Sequence, residues 1–293
     1  MYGTCESGSF AECAAAPEQR LAAKPASLSF EQAAVVPISG VTALHAVRDS
    51  GRVQPGQQVM VIGAAGAVGS FAVQIAKASG ARVTGVCSSP KTGLVRSLGA
   101  DDVIDYTHDE IDGNRARYDV VIDTAGNRPL SLLRRAMTPH GTLVLVGGEH
   151  GGGRVLGGFD RQLLRAPLVS MFAGQRLRGL TANEGAEDLQ TITRLIDPGA
   201  VRPVIDRTYA LADAADAIRY LAQGHAGQGR RHGVTARQQM PSPISVTQRR
   251  ARRADGGQIG ARYSRPVRKP PPIGTSPRPL PTRAPGNIRY AGL

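Results

Sequence analysis

The stretch Val59-Met60-Val61-Ile62-Gly63-Ala64-Ala65-Gly66-Ala67-Val68-Gly69 constrains this chain more than any other. Four consecutive apolar residues, three of them β-branched, read as a strand buried on both faces. Ser70 to Ser79 follows with helical apolar spacing and stops at Gly80, a residue that readily closes a helix. A G-x-x-G-x-x-G spacing on its own is weak, and a tight turn with no ligand would also use it. Here it joins a strand directly to a helix, the context in which small residues let a phosphate approach the backbone. The helix start adds unpaired N–H groups and the positive end of a dipole. The turn is therefore a candidate cradle for a dinucleotide pyrophosphate.

The same alternation continues along the chain. Val83 to Val86, Val103-Ile104, Asp119 to Asp123 and Thr142 to Val146 read as strands. Pro90 to Leu98 and Pro129 to Met137 read as helices, and Pro139-His140-Gly141 reads as the turn into the strand at Thr142. Strands alternating with helices predict an α/β fold, a Rossmann-type doubly wound parallel sheet with helices on both faces. After Val146 comes a glycine-rich loop. Then follow a helix over Ala186 to Ile196, an extended segment from Val201 to Tyr209 and a helix over Ala212 to Gln223. Upstream, Phe30 to Ser50 is helix-like but interrupted by Pro37 and Gly40. Beyond Ala226 periodicity gives way to Pro, Arg and Gly, a composition that predicts a disordered basic tail.

The second strand bears on the cofactor. An acidic residue about 20 positions after the glycines would bind the ribose hydroxyls of NAD. This chain has Cys87-Ser88-Ser89-Pro90-Lys91 there. Two hydroxyls and a lysine suit a 2′-phosphate through charge-assisted hydrogen bonds, which favours NADPH. Lys91 also fits the plainer reading of a solvated lysine in a first helical turn.

Charge and cysteines set further bounds. Residues 1–226 hold 22 Lys+Arg against 22 Asp+Glu, while residues 227–293 hold 14 Lys+Arg and a single acid, Asp255. The net +13 thus belongs to the tail, which also carries ten of the twenty prolines. A basic tail attracts phosphates, but with Tyr263 and Tyr290 its only aromatics, stacking on nucleic acid is not indicated. Cys5, Cys13 and Cys87 form no C-x-x-C and lack paired ligands at metal spacing, so reduced thiols and no zinc are expected. His45 reads as a packed or half-buried histidine, His108 and His140 as solvated ones. Asp119 and Asp123 bracket a strand and read as strand-end capping groups. No apolar run approaches the roughly 18 residues that span a bilayer, and no signal-peptide pattern opens the chain, so a cytoplasmic protein is expected.

Residues 3–226 resemble the medium-chain dehydrogenase/reductase superfamily, within it the zinc-independent quinone oxidoreductase-like branch. The resemblance is carried by Ala34 to Ala43, the turn Ile62 to Gly69, Ser88 to Lys91 and Leu98 to Asp101. It continues through Ile104-Asp105-Tyr106, Tyr118 to Gly126, Gly141 to Gly148 and Gly224-His225-Ala226. It implies hydride transfer from NADPH to a small quinone, enone or related carbonyl, and a homodimer is common among such proteins. Ala65, Gly66, Ala67 and Val68, between Gly63 and Gly69, would then contact the pyrophosphate. Ser88, Ser89, Lys91 and Tyr106 would surround the adenosine 2′-phosphate. Thr124, Ala125 and Gly126 would border the adenosine and ribose. Val146 and Gly147 would lie near the nicotinamide, with Thr42 facing it. Taken alone, Tyr106 could be an exposed strand-end aromatic and Thr42 a hydroxyl bonded to its own helix.

The ends depart from the pattern. The opening Gly3 to Glu12 resembles the middle of a GroES-like catalytic domain, so residues 1–45 read as a remnant of that β domain and the substrate-orienting groups are expected upstream. Residues 46–185 read as the NADP-binding domain and 186–226 as its last helix and return to the catalytic domain. Residues 227–235 are compatible with Gly-Lys-Val-Val in a neighbouring reading frame, so the tail, 227–293, reads as an out-of-frame extension. Two alternatives to an active reductase stand beside it: a cofactor-binding fragment with impaired catalysis, and a nucleic-acid-associated protein acting through its tail.

Overall fold

The computed structural model describes residues 1–6, 8–11, 13–111, 118–146, 174–180, 185–222 and 244–247. In chain order the elements begin with β1 (Tyr2–Gly3), β2 (Leu21–Ala22), α1 (Phe30–Ala34) and α2 (Pro37–Leu44), which runs into a π-helical turn, His45–Ser50. The βα units follow as β3 (Gln58–Ile62), α3 (Ala67–Ala78), β4 (Arg82–Cys87), α4 (Thr92–Ser97), β5 (Asp102–Asp105), β6 (Tyr118–Asp123), α5 (Leu130–Ala136) and β7 (Met137–Leu145). The remainder comprises β8 (Arg176–Gly179), α6 (Ala186–Ile196), β9 (Arg207–Ala210), α7 (Ala214–Ala222) and β10 (Ile244–Thr247).

Six strands form one sheet in the order β5-β4-β3-β6-β7-β8, every neighbouring pair parallel. The strand order reverses direction between β3 and β6, as in doubly wound nucleotide-binding sheets. Alternation along β3 divides the core. Val59 and Val61 join the cluster built on Phe71, Val73 and Ile192, while Met60 and Ile62 join the one built on Val121, Leu133 and Leu143. Helices on both faces are thus a consequence of the period-2 pleat acting on a strand that is apolar at every position.

Several expectations change. Gly40 does not interrupt the helix that Pro37 opens; it sits inside α2 because a Cβ there would lie 2.6 Å from Ile192 Cδ1 on α6. Met137, expected in a helix, begins β7, and the expected turn at Pro139-His140-Gly141 is a register shift within that strand. Met137 still pairs with Tyr118, and Thr142 pairs with Val120, so the extra residues bulge and the ladder resumes. Of the extended stretch from Val201 to Tyr209, only Arg207–Ala210 forms a strand. The edge strand β8 carries no strand pattern of its own, since Arg-Leu-Arg-Gly holds a single apolar residue. Within the tail the structure describes one β-branched segment, β10, parallel to β9; the remainder of the tail lies outside the described residues.

The N-terminal segment pairs as an antiparallel β1-β2 ribbon and is anchored to α6. The Tyr2 hydroxyl donates to the Leu189 carbonyl at 2.7 Å and lies 2.8 Å from Thr193 Oγ1. His45 is packed, as expected, with Nε2 2.7 Å from Asp188 Oδ2, and Arg48 bonds the other oxygen of that carboxylate at 2.9 Å.

Candidate functional site

The glycine turn leaves β3 at the switch point, where the loops of β3 and β6 diverge above the sheet. Gly63 sits at φ +78, a left-handed conformation that disfavours a side chain, and a Cβ there would lie 2.5 Å from Thr124 Oγ1. The N–H groups of Gly63 and Ala64 both donate to the Val86 carbonyl at 3.1 Å, tying the turn to β4. Gly66 donates to Gly63 O at 2.8 Å and then serves as N-cap of α3, with no side chain to accept from the helix. A Cβ on Gly69 would meet Gly63 O at 2.0 Å, so only glycine lets the first helical turn close on the loop.

The residues of this turn fit a pyrophosphate. The first N–H groups of any α-helix lack intrahelical acceptors, and capping side chains usually satisfy them. Here Ala67, Val68 and Gly69 begin the helix behind a capless Gly66. From Gly63 to Gly69 no side chain is larger than valine, and the helix dipole reinforces an anion.

The loop after β6 forms the opposite wall. Thr124 donates twice to the Ile62 carbonyl, from N at 3.1 Å and from Oγ1 at 2.8 Å. Asp123 is fully buried, and its Oδ1 accepts from the Ala125 and Gly126 N–H groups at 3.0 Å each. The strand-end capping role read from sequence is what these bonds show. Its Oδ2 is buried without a hydrogen bond. Burial pushes the Asp123 carboxyl up, against the opposing pull of the two backbone donors and of Arg128. Val146 N donates to Asp123 O at 3.0 Å, which puts Val146 at the same end of the neighbouring strand. Gly147 lies outside the described residues. Thr42 is buried in α2, the helix packed against α3, upstream of the first strand of the sheet.

At the outer corner, Ser88, Ser89 and Lys91 follow β4 and Tyr106 follows β5. Lys91 is 8% exposed, so it is not the solvated lysine of the plainer reading. Tyr106 is 37% exposed, with the Arg128 guanidinium 5.5 Å from its ring centroid. Three residues at this corner escaped the sequence reading: Asp105, Thr107 and Arg128. The signal for Asp105 was the register of two strands, which sets it beside Cys87. Burial, with Asp105 adding to it, pushes the Cys87 thiol up to about 11.

A family model described as zinc-binding dehydrogenase matches residues 98–227. A quinone oxidoreductase of Pseudomonas aeruginosa is 32% identical over 234 residues, 75% of this chain and 70% of that protein. The chain belongs to the medium-chain dehydrogenase/reductase family. A mitochondrial NAD(P)H oxidoreductase of Danio rerio is 31% identical over 237 residues, 75% of this chain. This chain spans 61% of that relative's length. Among solved structures, a quinone oxidoreductase of Pseudomonas syringae superposes with a TM-score of 0.66 at 26% identity, covering 84% of this chain and 73% of that one. Among the described residues, no three His, Cys, Asp or Glu side chains gather as a metal site would require, and no helix is long and apolar enough to cross a membrane.

Proposed function

We propose that this chain binds a nicotinamide dinucleotide at the switch point, with NADPH preferred, and serves as a zinc-independent oxidoreductase acting on a small quinone, enone or related carbonyl. The observation that carries the reading is the capless start of α3 behind Gly66, closed by the Gly63–Gly69 contact and facing the Thr124–Gly126 loop. The names of the relatives support the same class. When bound, the dinucleotide supplies the hydride from its nicotinamide ring. The backbone of Ala65 to Val68 holds the pyrophosphate, Thr124 to Gly126 border the ribose, and Ser88, Ser89, Lys91 and Tyr106 receive the adenosine end. Val146 and Thr42 bound the nicotinamide end.

Titration of the full chain with NADPH, followed by cofactor fluorescence and accompanied by a quinone turnover assay, tests the proposal. Saturable binding with NADPH-dependent quinone reduction is expected. Binding without turnover leaves the dinucleotide site standing and overturns the reductase activity; no binding overturns both.

A further inference from the structure

The register that pairs Cys87 with Asp105 sets the loops after β4 and β5 side by side at the adenosine corner. The Tyr106 N–H donates to the Cys87 carbonyl at 3.1 Å and locks the two strand ends together. Thr107 donates to Asp105 Oδ1 from its backbone N at 3.0 Å and from Oγ1 at 2.6 Å. The Ser89 hydroxyl lies 2.9 Å from Thr107 Oγ1, so a continuous hydroxyl chain joins the candidate phosphate ligand Ser89 to a carboxylate. The Ser89 hydroxyl foremost, and then Thr107, holds Asp105 down to about 2, so it is an anion throughout the neutral range. The corner is thus of mixed charge. Lys91 and, over Tyr106, Arg128 bring cations; Asp105, at the end of β5 beside Cys87, brings a fixed negative charge.

We propose that Asp105 is a specificity-determining residue that restrains the preference for a 2′-phosphate and lets the site accept NADH as well as NADPH. The inference rests on the dinucleotide reading above and refines it. A ribose 2′-hydroxyl can donate to a strand-end carboxylate, the interaction by which NAD-binding sheets hold their cofactor. A 2′-phosphate offers no such donor and adds like charge at close range. The acid that is missing from the end of β4 in sequence is supplied in space from the end of β5.

The test is equilibrium titration of the full chain with NADH and with NADPH, by fluorescence or calorimetry, for the parent and for Asp105→Asn. Losing a hydrogen bond to a charged group weakens NADH by roughly tenfold or more, and removing the repulsion strengthens NADPH. The ratio of affinities is expected to move towards NADPH by at least that factor. Asp105→Ser, which keeps an acceptor for Thr107, is to move the ratio the same way and serves if the Asn variant does not fold. A parent that binds both dinucleotides with a ratio unmoved in the folded variants overturns this inference alone. A parent that binds neither overturns the dinucleotide reading, and this inference with it.

Discussion

Asp123 offers a quantitative test of how the β6 loop is built. Its Oδ1 satisfies two N–H groups, while Oδ2 is buried with no partner. Removing the acceptor with Asp123→Ala leaves the Gly126 N–H buried and the Ala125 N–H half-buried. At about 1–3 kcal/mol for each buried group left unsatisfied, the substitution is expected to cost about 2–4 kcal/mol. Asp123→Asn keeps the Oδ1 acceptor and replaces a buried, unpartnered oxygen with a neutral amide. It gives up the charge assistance of two hydrogen bonds but also the burial of a charge, and is expected to stay within about 1 kcal/mol of the parent at pH 7. The pH dependence separates the terms. The folded carboxyl is raised above its ordinary 3.8, so the folded state holds its proton more tightly than the unfolded chain does. Its contribution is fully present below 3.8 and is lost as pH rises through the folded value. The Asn variant lacks that slope, so its stability relative to the parent improves as pH rises from about 4 towards neutrality. Urea denaturation across that range, with NADPH titration at pH 7, measures both effects. The Ala variant should also bind the cofactor more weakly, since the Thr124–Gly126 wall loses its tie to the strand. An Asn variant as unstable as the Ala variant, or an Asn–Asp difference flat with pH, would refute the account.

Other changes test the turn and the helix packing. Gly69→Ala drives a Cβ to within 2.0 Å of Gly63 O, a backbone atom that cannot rotate away. Overpacking of this kind costs about 1–3 kcal/mol, and opening the turn should abolish NADPH binding in the fluorescence titration. Gly40→Ala pushes on the tip of the Ile192 side chain, so its loss in thermal denaturation is expected to be smaller than that of Gly69→Ala, and adding Ile192→Val should recover part of it, a coupling that a double-mutant cycle reads directly. Tyr2→Phe removes the hydroxyl that donates to Leu189 O and is expected to cost about 1 kcal/mol in urea denaturation, with NADPH affinity unchanged.

What sequence could show depended on where the physical information lay. Val59 to Ile62, Val83 to Val86 and the strand ending at Asp123 are buried on both faces, so nearly every residue is apolar and the pattern is unmistakable. Ala186 to Ile196 forms as a helix with the bounds its periodicity gives. Its apolar residues Leu189, Ile192 and Ile196 fall on one buried stripe, and a Pro-Gly pair follows closely. Legibility fails where an element's identity comes from its neighbour. Arg176-Leu177-Arg178-Gly179 is a strand because β7 offers an edge to pair with, and its own side chains carry almost no signal. Met137 belongs to β7 for a related reason: Tyr118 stands opposite it, and the Pro-His-Gly that looks like a turn is accommodated as a bulge.

The adenosine corner shows the same limit acting on chemistry. Read along the chain, the end of β4 holds hydroxyls and a lysine, and the missing acid argues for a 2′-phosphate. Read across the sheet, Cys87 lies beside Asp105, and Ser89 is linked through Thr107 to that carboxylate. A parallel sheet brings the ends of adjacent strands together at one edge of the crevice, about 4.8 Å apart in the hydrogen-bonding direction. On the proposal above, cofactor preference would be set by two neighbouring strand ends, beside which Arg128 reaches over Tyr106 from the loop after β6. The pyrophosphate turn differs, because all its requirements fall within seven consecutive residues, Gly63 to Gly69. That is why a dinucleotide can be inferred from sequence, while the proposed balance between NADH and NADPH turns on the register of β4 and β5.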